Sequence, residues 1–228
     1  LASVTKIMAT TLAIMKLYDE DKIDIHEKLS TYLPYLKGSN KENITIQEAM
    51  NHVSGLRAWI PFYKDFINPD VYSQYFKNTA DSVFNIQVCD SMYTKPEVKT
   101  LIIQSIIDSP LGDKNKYVYS DLGFILLREV VEVITKMKME DFLEENFYKP
   151  MGLNTMGYNP LKRFPKNRIP STEKDVEFRK KVVRGYVHDP AAALLGGISG
   201  HAGLFSNAYD VAMIAQMFLN EGVYNDKR

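Results

Sequence analysis

Ser3-Val4-Thr5-Lys6-Ile7-Met8-Ala9-Thr10-Thr11-Leu12-Ala13-Ile14-Met15 sets a serine and a lysine at the head of an apolar, helix-forming run. At helical spacing the two side chains project from one face a turn apart, so the amine can reach the hydroxyl. A helix N-terminus also favours negative charge developing nearby. The spacing by itself selects nothing, because Ser171-Thr172-Glu173-Lys174 satisfies it inside a charged segment with no apolar helix behind it. The apolar run is what singles out Ser3.

Outward from that run, the pattern predicts a mostly buried helix from about Ser3 to Glu20, carrying Ile7, Leu12, Ile14, Met15 and Leu17. Thr45 can cap a short helix through Gln47, Ala49 and Met50, which Ser54-Gly55 ends before an aromatic loop, Trp59-Ile60-Pro61-Phe62-Tyr63. That loop is either a lid or a packed surface turn. Helical periodicity recurs over Pro96 to Asp108 until Pro110 and Gly112 break it. Asp121 to Ile134 predicts a strongly apolar helix, Met139 to Tyr148 an amphipathic one, and Asn207 to Leu219 a last one. Residues 159–187 are polar and proline-punctuated, and they read as a long excursion. Strand-like stretches are few: Phe84 to Val88, and a weaker one from Val182 to Val187. The chain reads as mainly α.

The 228 residues are 45% hydrophobic, enough for one sizeable core or two small ones. Lysine plus arginine equals aspartate plus glutamate at 28 each, which removes the global attraction expected of a nucleic-acid binder. The basic cluster of Arg163, Lys166, Arg168, Lys174, Arg179, Lys180 and Lys181 is interspersed with Glu173, Asp175 and Glu177. It reads as a solvated loop face rather than a phosphate-binding patch. Cys89 is the only cysteine, so no intrachain disulfide forms and the redox compartment cannot be read. No run approaches a membrane span, and Leu1 opens directly on the serine motif, so any targeting segment is expected outside this chain.

A serine hydroxyl is a poor nucleophile until something takes its proton, and a lysine at the start of a buried helix is placed to do so. A tyrosine phenol would be a second helper. Tyr119-Ser120-Asp121 stands at the head of the most apolar helix, where a loop-to-helix junction aims the phenol into a cleft. Tyr63-Lys64-Asp65 and Tyr224-Asn225-Asp226 repeat the same pattern. Each group also has an ordinary reading: Tyr119 as one packed ring among 14 tyrosines, Ser3 as a helix cap, Lys6 as a solvated first-turn residue. His26, His52, His188 and His201 show no metal-ligand spacing, so no metal site is expected. His188-Asp189 is a tempting hydrolytic pair, but adjacent residues rarely meet in that geometry.

Four separated segments resemble, in order, the serine beta-lactamase-like family that includes penicillin-binding proteins, class C beta-lactamases and related esterases. They are Leu1-Ala2-Ser3-Val4-Thr5-Lys6, Asn51-His52-Val53-Ser54-Gly55-Leu56, Tyr117-Val118-Tyr119-Ser120-Asp121-Leu122-Gly123-Phe124, and Gly196 to Ser206. Tyr148-Lys149-Pro150-Met151-Gly152-Leu153 and the last helix are also similar. The resemblance implies an α+β fold of the beta-lactamase/transpeptidase type. It implies a single partial domain over residues 1–228, with most of the central antiparallel sheet outside the chain. It further implies Ser3 as acylated nucleophile, Lys6 as proton acceptor and Tyr119 as third member, with no cofactor.

Asp121 stands where lactamases commonly have asparagine, and it offers acceptors only, which favours ester or amide hydrolysis over beta-lactam hydrolysis. Trp59, Phe62 and Tyr63 would line or cover the cleft. His201-Ala202-Gly203 is either the family's lysine- or histidine-led motif, with His201 and Gly203 at the substrate, or a glycine-rich turn shaping the cleft wall. Some bacterial relatives are fused to a glycosidase that trims cell-wall amino sugars. That implies a small-molecule or peptidoglycan-derived substrate and a periplasmic or extracytoplasmic location. The competing expectation is a non-catalytic module used for binding or packing within a larger protein.

Overall fold

The first helix runs where the apolar pattern puts it, but it is not uniform. A 3-10 turn at Ala2–Val4 leads into a π-wound stretch, Lys6–Thr11, and then into regular α-helix at Leu12–Asp19. Two threonines tie the irregular part to the Gly200–Leu204 segment: Thr5 Oγ1 accepts from the Leu204 amide at 3.1 Å, and Thr10 Oγ1 donates to the Gly200 carbonyl at 2.7 Å. These side chains give the Gly200 carbonyl and the Leu204 amide their partners from the helix. Single π turns inside helices recur at functional sites. The computed structural model describes residues 1–225, so Asp226, the end of the Tyr224-Asn225-Asp226 pattern, lies outside the described residues.

Asp121–Thr135 is the central element. Ser120 caps it by accepting from the Leu122 amide at 3.2 Å, and Lys136 closes it in the left-handed region at φ 58°. Its buried side, from Leu122 through Val131, packs against Lys6–Thr11 and against the short helices Leu29–Tyr32 and Ile46–Met50. Ile46–Met50 starts with a reciprocal cap, Thr45 Oγ1 accepting from the Glu48 amide and Glu48 Oε2 from the Thr45 amide. Glu97–Asp108 and Ala208–Leu219 are the other long helices.

Three small antiparallel sheets complete the described residues, each of two strands: Ile86–Cys89 with Met92–Thr94, Gly157–Tyr158 with Leu204–Phe205, and Ser171–Asp175 with Lys181–Arg184. The first and third refine the two strand expectations by a few residues, and the second had no sequence signal. The segment expected as a polar excursion therefore holds a hairpin, and part of its basic cluster is interior. Arg179 is buried, with Nε donating to Asp175 Oδ2 at 2.6 Å, Nη1 to the Val187 carbonyl and Nη2 to Glu173 and the His188 carbonyl. Its guanidinium is the hub of the hairpin, which corrects the reading of that residue as part of a solvated face. No helix among the described residues is long and apolar enough to cross a membrane.

Candidate active site

Lys6 is the anchor of the site. It is 2% exposed, and its Nζ donates to Ser3 Oγ at 3.0 Å, to Asp121 Oδ1 at 2.6 Å and, at 3.5 Å, to the His201 carbonyl. Three distant parts of the chain thus converge on one ammonium. The helical spacing expected of Ser3 and Lys6 is what lets the first contact form. Ser3 itself is exposed, so its hydroxyl is open to a carbonyl arriving from solvent.

Asp121 owes its place to the helix start: its amide donates to the Ala58 carbonyl at 2.8 Å while the adjacent Ser120 hydroxyl donates to the Arg57 carbonyl at 2.6 Å. Its side chain is 26% exposed and Lys6's only 3%, so the carboxylate borders the cleft while the ammonium lies beneath it. Tyr119, 45% exposed, turns its ring face to Lys6, with Nζ 4.6 Å from the ring centroid. Its hydroxyl makes no hydrogen bond among the described residues.

His52 completes this cluster, and it was not among the residues the sequence put forward. Its ring lies 4.5 Å from that of Tyr119, and its Nδ1 accepts from the Ser120 amide at 3.0 Å. Burial, and then the charge of Lys6, hold its imidazole below the usual histidine range. The signals available were its place in the Asn51-His52-Val53-Ser54-Gly55-Leu56 segment, whose resemblance assigns the imidazole no role, and its position in the left-handed region (φ 59°) just after the Ile46–Met50 helix.

The remaining expected residues are divided. Trp59, Phe62, Tyr63, Asp121, Asp189 and His201 border one open cleft. Trp59 is 57% exposed at its rim. Tyr63 is buried instead, and its hydroxyl donates to Glu177 Oε2 at 2.5 Å, a contact that pushes its pKa up to about 12. It ties the aromatic loop to the hairpin. His201 is also buried, with Nδ1 2.9 Å from Ser199 Oγ and Nε2 2.8 Å from Asp189 Oδ1. Burial would raise the Asp189 carboxyl, but His201 and the Ala192 amide outweigh it and hold it at about 2.

Ser199, His201 and Asp189 therefore line up like a hydrolytic triad whose serine is fully buried, so Ser199 is closed to substrate. Asp189 does orient an imidazole, that of His201, while its neighbour His188 faces Glu173 at 3.1 Å. Gly203, at φ 120°, is buried where a Cβ would lie 2.3 Å from the Gly197 carbonyl oxygen and 3.1 Å from the Tyr158 ring. It serves a tight backbone crossing. Asp121, Asp189 and His201 bring three potential metal-ligand atoms within 4.8 Å of one another. Two contacts already engage that set, Lys6 on Asp121 and His201 on Asp189.

The beta-lactamase family model matches residues 1–228. The chain belongs to the beta-lactamase family. A Bacillus subtilis (strain 168) protein named N-acetylmuramyl-L-alanine amidase is 33% identical over 244 residues, which cover 99% of this chain and 51% of that protein. A Salmonella gallinarum protein named "Putative D-alanyl-D-alanine carboxypeptidase" is 33% identical over 246 residues, covering 99% and 52%. The chain thus spans about half the length of these curated relatives. Among solved structures, the octameric penicillin-binding protein homologue from Pyrococcus abyssi superposes with a TM-score of 0.66 at 19% identity, over 98% of this chain and 45% of that one. The fold is therefore the α+β beta-lactamase/transpeptidase type, and the chain is a beta-lactamase-fold member of a hydrolase family.

Proposed function

We propose that this chain carries the acylation machinery of a serine acyl hydrolase, with Ser3 as nucleophile, Lys6 as proton acceptor and Tyr119 as the group serving the leaving atom. The contact between Ser3 Oγ and the buried Lys6 Nζ at 3.0 Å carries this reading. Nζ lies between the hydroxyl and a carboxylate. As Oγ bonds to the acyl carbon, its proton passes to Nζ while one proton of Nζ passes to Asp121 Oδ1, so Lys6 keeps its positive charge and the negative charge moves from Asp121 to the acyl oxygen. The Tyr119 hydroxyl then supplies a proton to the departing oxygen or nitrogen and regains it from Asp121 by way of Lys6, and water releases the acyl group from Ser3, whose hydroxyl is restored.

The names of the 33%-identical relatives support a peptidoglycan-derived amide or ester as substrate and an extracytoplasmic location. D-Alanyl amides are the first compounds to try. Asp121 supports the preference over beta-lactams, because a carboxylate cannot donate to a lactam-side amide carbonyl as asparagine can.

A non-catalytic module is the second reading. The observation that favours it is the ordering of the Lys6 contacts: the ion pair with Asp121, at 2.6 Å, is shorter than the approach to Ser3. The test is attachment of a fluorophosphonate and a labelled penicillin to the full-length protein, located by peptide mass spectrometry with Ser3→Ala as control. Labelling at Ser3 is expected from the fluorophosphonate at least; a folded protein that takes up neither probe at Ser3 is the module.

A further inference from the structure

Tyr119 is half in solvent, and its hydroxyl is untethered, yet a group that passes a proton to a leaving atom must be held still. His52 grips it from three directions. The imidazole lies against the phenol ring at 4.5 Å with 38° between planes, Nδ1 accepts from the amide of Ser120, and the His52 carbonyl accepts from the amide of Val118 at 2.8 Å. The residues on either side of Tyr119 are thus bonded to one side chain and its own backbone. Phe124 and Tyr117 enclose the imidazole further, at 5.3 and 5.9 Å between centroids.

We infer that His52 is a positioning residue that holds Tyr119 over Lys6 through its neutral imidazole, and that proton delivery to the leaving group depends on this grip. The inference rests on the acyl-hydrolase reading. Only a ring with a free lone pair at Nδ1 can accept from the Ser120 amide, so protonation turns that acceptor into a donor facing a donor. The charged and titratable groups facing the ring are Lys6 from the first helix, Asp121 from the head of the central helix, and Tyr117 and Tyr119 from the loop between. Burial and Lys6 keep the ring neutral, and Asp121 opposes them. Release of Tyr119 is therefore expected only in acid, below the ordinary histidine range.

His52 sits at φ 59°, a conformation that asparagine and glycine tolerate. His52→Asn keeps an acceptor close to the Nδ1 position, and His52→Gly removes both acceptor and ring. In the full-length protein two reactions are compared: hydrolysis of D-alanine p-nitroanilide, whose leaving nitrogen needs a proton, and fluorophosphonate attachment to Ser3, whose leaving fluoride does not. Loss of one neutral hydrogen bond that positions the acid predicts about tenfold slower anilide turnover in His52→Gly. Phosphonylation of Ser3 should stay within about twofold, and His52→Asn should restore most of the anilide rate. Tyr119→Phe should show the same selective loss, with His52→Gly adding little to it.

Equal loss in both reactions would make His52 an ordinary structural residue and overturn the inference, as would no loss in either. A tyrosine-selective carbon label supplies an arm that needs no turnover. The Tyr119 ring resonance, assigned by its absence in Tyr119→Phe, should move as acid protonates His52 and should stay fixed in His52→Asn; a resonance moving alike in both overturns the grip. A wild-type Ser3 that resists phosphonylation would sink the acyl-hydrolase reading, while the resonance still decides what holds Tyr119. If His52→Gly does not fold, His52→Asn carries the same comparison with the resonance arm.

Discussion

Replacing Asp121 tests the pair on which the site is built. Removing one partner of a fully buried ion pair costs about 3–5 kcal/mol, whereas a solvent-exposed pair contributes about 0–1 kcal/mol. This pair lies between those limits, since the Lys6 side chain is 3% exposed and that of Asp121 is 26%. Asp121→Ala leaves the ammonium with Ser3 Oγ, a 3.5 Å contact to the His201 carbonyl and the faces of the Tyr119 and Phe124 rings, but no opposite charge. The expected cost is about 2–3 kcal/mol, interpolated between buried and exposed pairs. For a chain of this size that lowers the melting temperature by about 4–12 °C. Asp121→Asn keeps an acceptor of the same shape and gives up only charge, so about half that loss is expected. Thermal melts of wild type, both variants, Lys6→Met and the Lys6→Met/Asp121→Asn double variant measure it. A coupling below about 0.5 kcal/mol in that cycle, within the range of independent sites, would refute the view that the pair holds this junction.

Two further outcomes follow from the same convergence of segments. Asp189, held at about 2 against an ordinary value near 3.9, contributes stability that is present above the higher value and lost as pH falls toward the lower. Asp189→Asn should therefore flatten the acid limb of the urea-unfolding profile between about pH 4 and pH 2, removing about 2 kcal/mol of its fall; an unchanged limb counts against the His201 contact. Gly200→Ala places a methyl group 2.0 Å from the Phe124 carbonyl oxygen and 2.9 Å from Thr10 Oγ1. It should cost more than about 3 kcal/mol in chemical denaturation, and a loss under about 1 kcal/mol would show that the crossing has slack.

What the sequence made legible was local. The central helix could be bounded to within a residue because its signals, the Ser120 cap and the apolar run to Val131, lie in the residues that form it. The Ser3 to Lys6 spacing, and the cap at Thr45, were readable for the same reason. The π-wound stretch was not, since Thr5 and Thr10 find their partners at Leu204 and Gly200, almost the whole chain away. Gly157–Tyr158 and Leu204–Phe205 are two residues each, too short for any alternation, and exist only as a pair. Charge misled at Arg179, where interspersed acids looked like a solvated surface but Asp175 and Glu173 are the partners that allow burial. At His188-Asp189 adjacency was the distraction. Asp189 turns to His201, and only the folded backbone shows it.

The convergence on Lys6 also sets an order of events. Its partners are separated from it by 115 residues at Asp121 and 195 at His201, and Thr5 meets an amide 199 positions on. Contacts so remote in sequence are closed late, after local helices have formed. During synthesis the serine-bearing helix leaves the ribosome well before the Gly200–Leu204 segment that braces it. The surroundings of Ser3 are therefore not framed until that segment has docked, and the appearance of a probe-labelled Ser3 would report the closing of this junction.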